Sequence, residues 1–156
     1  MTRRKSIKGY PPEVGDLFEI PLSSGLHGYG RVLRNPLMAF YAIGSKSSLN
    51  ADDVLNAPIA FKIWVMNSAL SSGRWRVVAN LPLEPDHEVS PWFFKQDPVS
   101  KKLSIYREGD EKPALPEECA NLERAAVWSA EHAEDRLDDH LANRRNKWVE
   151  ALKLRV

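Results

Sequence analysis

Cysteine is nearly absent from the 156-residue chain, which contains only Cys119. A single thiol cannot form an internal disulfide, and zinc sites built from thiolates need several ligands. A chain of this length buries roughly 68–70% of the surface that its unfolded form exposes, so it can form a core without disulfides. The cysteine usage therefore predicts a protein of a reducing compartment.

Long apolar stretches are also missing. The longest one, residues 59–66, is interrupted by Lys62. It is far shorter than the ~20 residues that a membrane helix needs. Residues 1–6 are basic, but the apolar segment of a signal peptide does not follow them. We therefore expect a cytoplasmic protein with no membrane partner.

Neither sign of charge dominates, because the chain has 22 Lys and Arg residues and 21 Asp and Glu residues, which gives a net charge of +1. Dedicated nucleic-acid binders normally carry a clear basic excess. A local patch is still compatible with this balance, in a flexible basic arm over residues 1–12 and in the run Arg74-Trp75-Arg76. A nucleic-acid-associated binding module that uses the arm and this strand is therefore an alternative function, which the charge balance disfavours.

Motifs of known catalytic sites are not found either. The glycines at 25, 28 and 30 lie between two predicted strands rather than before a helix, which favours a hairpin over a phosphate-binding loop. His132, Asp135 and Asp139 have the helical spacing of metal ligands, and a small enzyme that uses them is a further alternative. A further ligand is lacking, however, and a solvated helix face also explains them. We predict no enzyme activity, catalytic residue, cofactor or metal.

Alternating apolar residues are abundant in residues 13–116. The clearest period-two run is residues 59–66, whose β-branched and aromatic content is typical of a central strand. Phe61, Ile63, Val65, Trp75 and Val77 should face the core. Shorter patterns predict further strands, and Asn50 can cap a short helix over residues 51–56. The predicted strands lie at 14–22, 29–33, 38–43, 74–81, 92–94 and 103–106. This region is predicted to be the β-rich core of a single domain.

The apolar period changes from two to about three and a half in the C-terminal segment, residues 117–156. Steps of three and four residues from Leu122 to Leu152 predict a long helix that begins at Glu117 or Asn121, although residues 143–146 can interrupt it. The predicted fold is therefore α+β. It consists of a curved antiparallel sheet or small open barrel of about 5–7 strands, with a long C-terminal helix packed on it.

One surface of this predicted helix has the composition of a protein-binding site. Trp128 falls opposite the apolar stripe, beside the carboxylates of Glu131, Asp135 and Asp139. An exposed aromatic residue within a charged rim resembles a binding hot spot. The alternatives are that the arm or the loop at 82–91 covers Trp128, and that the acidic face is only solvated. We predict these four residues to bind a partner, with the loops at 24–28 and 82–91 as the alternative surface.

Several short blocks resemble the immunity protein 26 family of bacterial polymorphic-toxin systems. They are GDLFEIPL at 15–22, GYGRVL at 28–33, FY at 40–41, and GRWRVV at 73–78 followed by LPL at 81–83. The resemblance covers residues 14–106. It implies an α+β protein without catalysis that binds and neutralises a cognate toxin domain. A nuclease is one candidate for this toxin, because the acidic helix face would complement a basic active cleft. It gives neither the contact residues nor the oligomeric state.

Overall fold

A computed structural model describes residues 11–155. Residues 1–10 of the predicted basic arm lie outside the described residues. The described chain forms ten strands and five α-helices. The strands are β1 (Asp16–Pro21), β2 (His27–Arg34), β3 (Leu37–Tyr41), β4 (Ile59–Val65), β5 (Arg76–Asn80), β6 (Phe93–Gln96), β7 (Leu103–Arg107), β8 (Asp110–Pro113), β9 (Glu123–Arg124) and β10 (Val127–Trp128). The helices are α1 (Ala51–Leu55), α2 (Ser68–Ser71), α3 (Pro116–Cys119), α4 (Ala130–Leu141) and α5 (Lys147–Leu152).

The strands form two open sheets, and the predicted α+β class is confirmed. The larger sheet has six strands in the order β10-β4-β3-β2-β1-β5, and the smaller one has four in the order β8-β7-β6-β9. All pairs are antiparallel except β10 with β4 and β6 with β9. The consecutive antiparallel pairing of β1 to β4 agrees with the predicted antiparallel sheet, whereas the separate second sheet was not predicted. None of the described helices is long and apolar enough to cross a membrane.

The glycines at 25, 28 and 30 belong to the β1–β2 hairpin, as predicted, with Gly25 in the turn and the other two within β2. Gly25 has a φ of +91° in the turn, a region that glycine enters without steric cost. Gly30 lies within β2, where an added Cβ would stand 2.5 Å from the ring of Phe18. A side chain at this position would therefore displace a central core residue.

The main core lies between the larger sheet and α4. Phe18 stacks on Trp75 with ring centroids 5.2 Å apart, and Phe40 stacks on Phe61 at 4.9 Å. Ala133 and Leu137 of α4 are fully buried against these rings. The inward positions predicted for Phe61, Ile63, Val65, Trp75 and Val77 are confirmed.

The other face of the larger sheet is also covered. Val54 of α1 packs on Tyr29 and Tyr41, and Phe93 of β6 packs beside Trp64 with the ring centroids 4.6 Å apart. The predicted cap of α1 is confirmed, because the Asn50 side chain accepts a hydrogen bond from the backbone of the helix's first turn. Loops, α1 and the second sheet therefore enclose the face opposite α4.

The continuous helix predicted from residue 117 or 121 is wrong in its extent. Residues 123–124 and 127–128 are extended, since they pair with β6 and β4, and α4 begins only at Ala130. Ser129 caps α4 by accepting a hydrogen bond from the His132 amide. A second cap, Asn146, starts α5 after the interruption predicted at 143–146. Within the predicted helical segment, α4 and α5 pack against the main core, and α3 packs against β7 of the smaller sheet.

Candidate functional site

Trp128 is not the exposed helix residue that its spacing predicts. It lies in β10 and is only 4% exposed. Its carbonyl accepts a hydrogen bond of 3.0 Å from the Met66 amide, which aligns β10 with the end of β4. This pairing directs the indole into the main core, where the Arg136 guanidinium lies 5.1 Å from its ring centre. The prediction of Trp128 as an exposed anchor is therefore wrong.

Two carboxylates of α4 bind the larger sheet and its hairpin. Asp138 is buried and accepts hydrogen bonds from the amide and the hydroxyl of Ser24, the first of which is 3.0 Å long. Glu134 accepts from Arg74 Nε at 2.7 Å and from Trp75 Nε1 at 2.8 Å. The Glu134 hydrogen bond is the main reason why the pKa of Arg74 is raised. These carboxylates therefore anchor α4 to the sheet.

Two further carboxylates of α4 hold α5 in place. Asp135 accepts a hydrogen bond of 3.1 Å from Trp148 Nε1, and Asp139 accepts from Asn146 Nδ2 at 2.9 Å. The ring of His132 stacks on Trp148 with centroids 3.6 Å apart. Contacts with α5 and the loop before it therefore account for Asp135 and Asp139 within the fold.

The metal-ligand spacing of His132, Asp135 and Asp139 has the same internal explanation. Their side chains contact α5 and the loop before it. Within residues 11–155, three or more His, Cys, Asp or Glu side chains do not come together in a way that would hold a metal ion. Glu131, in the first turn of α4, and Asp135 are the exposed members of the acidic set, whereas Asp139 is half-buried. A partner-binding role for Glu131, Asp135 and Asp139 stays a prediction.

The Arg74-Trp75-Arg76 run does not present an aromatic surface. Trp75 is completely buried, so its ring cannot stack on a base. Arg74 is engaged by Glu134, and Arg76 lies 3.4 Å from the buried carboxylate of Glu19. The Arg74-Trp75-Arg76 run therefore lacks the exposed aromatic ring on which a protein that binds single-stranded nucleic acid would stack a base.

A buried arginine on β2 is the principal polar feature that the sequence did not indicate. Arg31 is fully buried and donates hydrogen bonds of 2.9 Å to Glu84 and to the Leu81 carbonyl, which fixes the segment after β5 on the sheet. Burial alone would raise the pKa of Glu84, but a backbone hydrogen bond and the Arg31 charge outweigh it and lower that pKa. Burial and the nearby Lys62 charge lower the pKa of His87 in the same segment.

A cleft of about 400 Å³ lies beside Trp128, between α5 and the second sheet. Phe94 and Trp128 contribute aromatic surface to it, and Arg124 of β9 reaches across it. Its other lining residues are Ala120, Asn121, Leu122, Glu123, Val149, Leu152, Lys153 and Leu154. This cleft could not be predicted from the sequence, because all its lining residues except Phe94 come from segments that the predicted continuous helix joined into one element.

A comparison with models of protein families shows the family to which the chain belongs. The family model of Immunity protein 26 matches residues 13–105. The chain belongs to the Immunity protein 26 family. The family match begins just before β1 and ends within β7, so it contains five strands of the larger sheet. No similar curated protein and no similar solved structure was found. The resemblance predicted from the short sequence blocks is confirmed.

Proposed function

We propose that this chain is an immunity protein that binds a cognate bacterial toxin in the cytoplasm and neutralises it. The match to the Immunity protein 26 family over residues 13–105 is the observation that carries this proposal. Inhibition then needs only a complementary surface, because a bound protein of this size can cover an active site or hold the toxin in an inactive state. A stable complex of this kind typically buries about 800 Å² on each partner.

The partner is a toxin domain, and a nuclease is one candidate. Nucleases present basic surfaces to their substrate, and the exposed carboxylates of Glu131 and Asp135 can attract such a surface. Their contribution would be to the rate of association, since exposed charges act over distance but add little affinity. Trp128 is buried, so it cannot project from this chain as the desolvated anchor of the complex.

Co-expression is the direct test of the proposal. A toxin domain encoded beside this gene is induced in a bacterial host with and without the immunity chain, and growth is measured. We expect the parent chain to restore growth and to copurify with that toxin domain, but not with an unrelated toxin domain used as the specificity control. Absence of both protection and complex would contradict the proposal.

Assays of the purified chain test whether it works by binding alone. We expect no hydrolase or transferase turnover in the absence of toxin. Turnover that survives repurification and is lost in one point variant of this chain would overturn the inhibitor proposal. Salt-dependent binding of the chain to nucleic acid, with no binding to toxin, would favour the nucleic-acid alternative.

A further inference from the structure

The cleft beside Trp128 combines apolar walls with a cation that retains free hydrogen-bonding capacity. The Arg124 guanidinium lies over the Phe94 ring, with Cζ 4.8 Å from the ring centre. Its Nε donates to the Leu152 carbonyl at 2.9 Å, and Nη2 donates to the Lys153 carbonyl at 3.3 Å. These two bonds fix the guanidinium plane at the carboxyl end of α5.

The Arg124 N–H groups that do not bind α5 form a pair of parallel donors, called here the Arg124 fork. A guanidinium has five N–H groups, and the two contacts with α5 use the pair on the Nε side. The hydrogens of Nη1 and the second hydrogen of Nη2 have no acceptor among the described residues. Two parallel donors in this arrangement match the two oxygens of a carboxylate. The fixed plane reduces the entropy that a ligand must otherwise supply to order this side chain.

The charge around the cleft favours the same ligand. Lys153 lines the cleft, and burial together with the nearby Arg155 charge lowers the pKa of Arg124. The one acidic lining residue, Glu123, accepts two hydrogen bonds from Arg136, at 2.8 and 2.7 Å, and is thereby neutralised. Lys153 pairs with Glu150 at 3.0 Å, so the uncompensated positive charge that a carboxylate entering the cleft would meet is that of Arg124.

We propose that this cleft receives an acidic side chain of the toxin together with an adjacent apolar side chain, as the anchor of the complex. The inference rests on the proposed function. The carboxylate pairs with the Arg124 fork, and the apolar side chain packs on Trp128 and Leu122, which line the cleft. Phe94 is the one lining residue inside the family match, so the cleft is built almost wholly from the part of this chain beyond it.

Two substitutions at the mouth of the cleft test the proposal with matched controls. Asn121→Trp fills the cleft at an exposed position, and Val99→Trp places the same ring on an exposed turn that does not line the cleft. Lys153→Glu reverses a charge at the cleft, and Lys147→Glu makes the same change at the other end of α5. Each control matches its variant in the added ring or in net charge.

Calorimetric titration with the purified toxin domain encoded beside this gene gives the readout. We expect Asn121→Trp and Lys153→Glu to weaken binding tenfold or more, and both controls to stay within threefold of the parent. Hydrogen exchange should also show protection of residues 120–124 and 149–154 in the parent complex. Circular dichroism checks that each variant is folded. If Asn121→Trp is unfolded, the affinity of the Lys153→Glu variant, which changes an exposed side chain, decides whether the cleft binds the toxin.

The outcomes separate the two proposals. If the parent chain does not bind the toxin, the immunity function fails for that toxin and the cleft proposal fails with it. If the parent binds, and the cleft variants bind like their controls with no protection in residues 120–124, the cleft proposal is overturned while the immunity function stands.

Discussion

Removing the Glu134 carboxylate should destabilise the fold through one buried donor. Trp75 is completely buried, and its indole N–H donates to Glu134 at 2.8 Å. Glu134→Ala leaves this N–H buried without a partner, which costs about 1–3 kcal/mol of unfolding free energy. The ion pair with Arg74, whose side chain is 44% exposed, adds about 0–1 kcal/mol after solvent screening. Each kcal/mol lowers the Tm of a domain of this size by about 2–4 °C.

Urea unfolding followed by circular dichroism measures this loss. Glu131→Ala is the matched control, since it removes an exposed carboxylate from the same helix and should change stability by less than about 0.5 kcal/mol. In a Trp75→Phe background the donor is gone, so Glu134→Ala should then cost about 0–1 kcal/mol. Equal stability of Glu134→Ala and Glu131→Ala, or an unchanged cost in the Trp75→Phe background, would refute the reasoning.

Three further predictions follow from the packing and the buried charges. Phe61→Ala should lower the unfolding free energy by about 3–5 kcal/mol, because it removes a core ring, and a Tm within 2 °C of the parent would contradict this. The double variant Asp135→Lys and Asp139→Lys should release α5, because it removes the two hydrogen bonds that hold this helix. Hydrogen exchange should then show faster amide exchange in residues 147–152, while the sheet stays protected. The lowered pKa of His87 means that the folded chain binds its proton less readily than the unfolded chain. Its contribution to stability is therefore complete above about pH 6.5 and is lost as the pH falls toward the folded pKa. His87→Asn should reduce the fall of the urea midpoint of unfolding between pH 7.5 and 5. An unchanged dependence of this midpoint on pH would contradict the prediction.

The local elements were predictable from the sequence where one physical signal sufficed. The alternation of residues 59–66 identified β4 because only one face of that strand meets the main core. Asn50 identified the start of α1 because its side chain caps the helix within three residues. The same kind of signal was present at Ser129 and Asn146, whose caps define the true starts of α4 and α5. The apolar spacing across residues 117–152 obscured the cap at Ser129, whereas the interruption before α5 was predicted at 143–146.

The non-local contacts were not predictable from one sequence. Two-residue strands such as β10 are stabilised by pairing with a distant strand, and their sequence carries no period of its own. Ser24 and Asp138 are separated by 114 positions, so the hydrogen bond that explains the buried carboxylate is invisible in the sequence. The same is true of Arg124, whose role depends on carbonyls at the end of α5.

The C-terminal part of the chain serves both stability and, in our proposal, recognition. Trp128 of β10 and Leu137 of α4 lie beyond the family match, yet both are buried in the main core with Phe61. Trp128 also lines the cleft, so one side chain joins the interior to the proposed anchor site. A substitution of Trp128 would therefore change folding and binding together and cannot separate them. Substitutions at exposed lining positions such as Asn121 can, because they alter the cleft and leave the core intact.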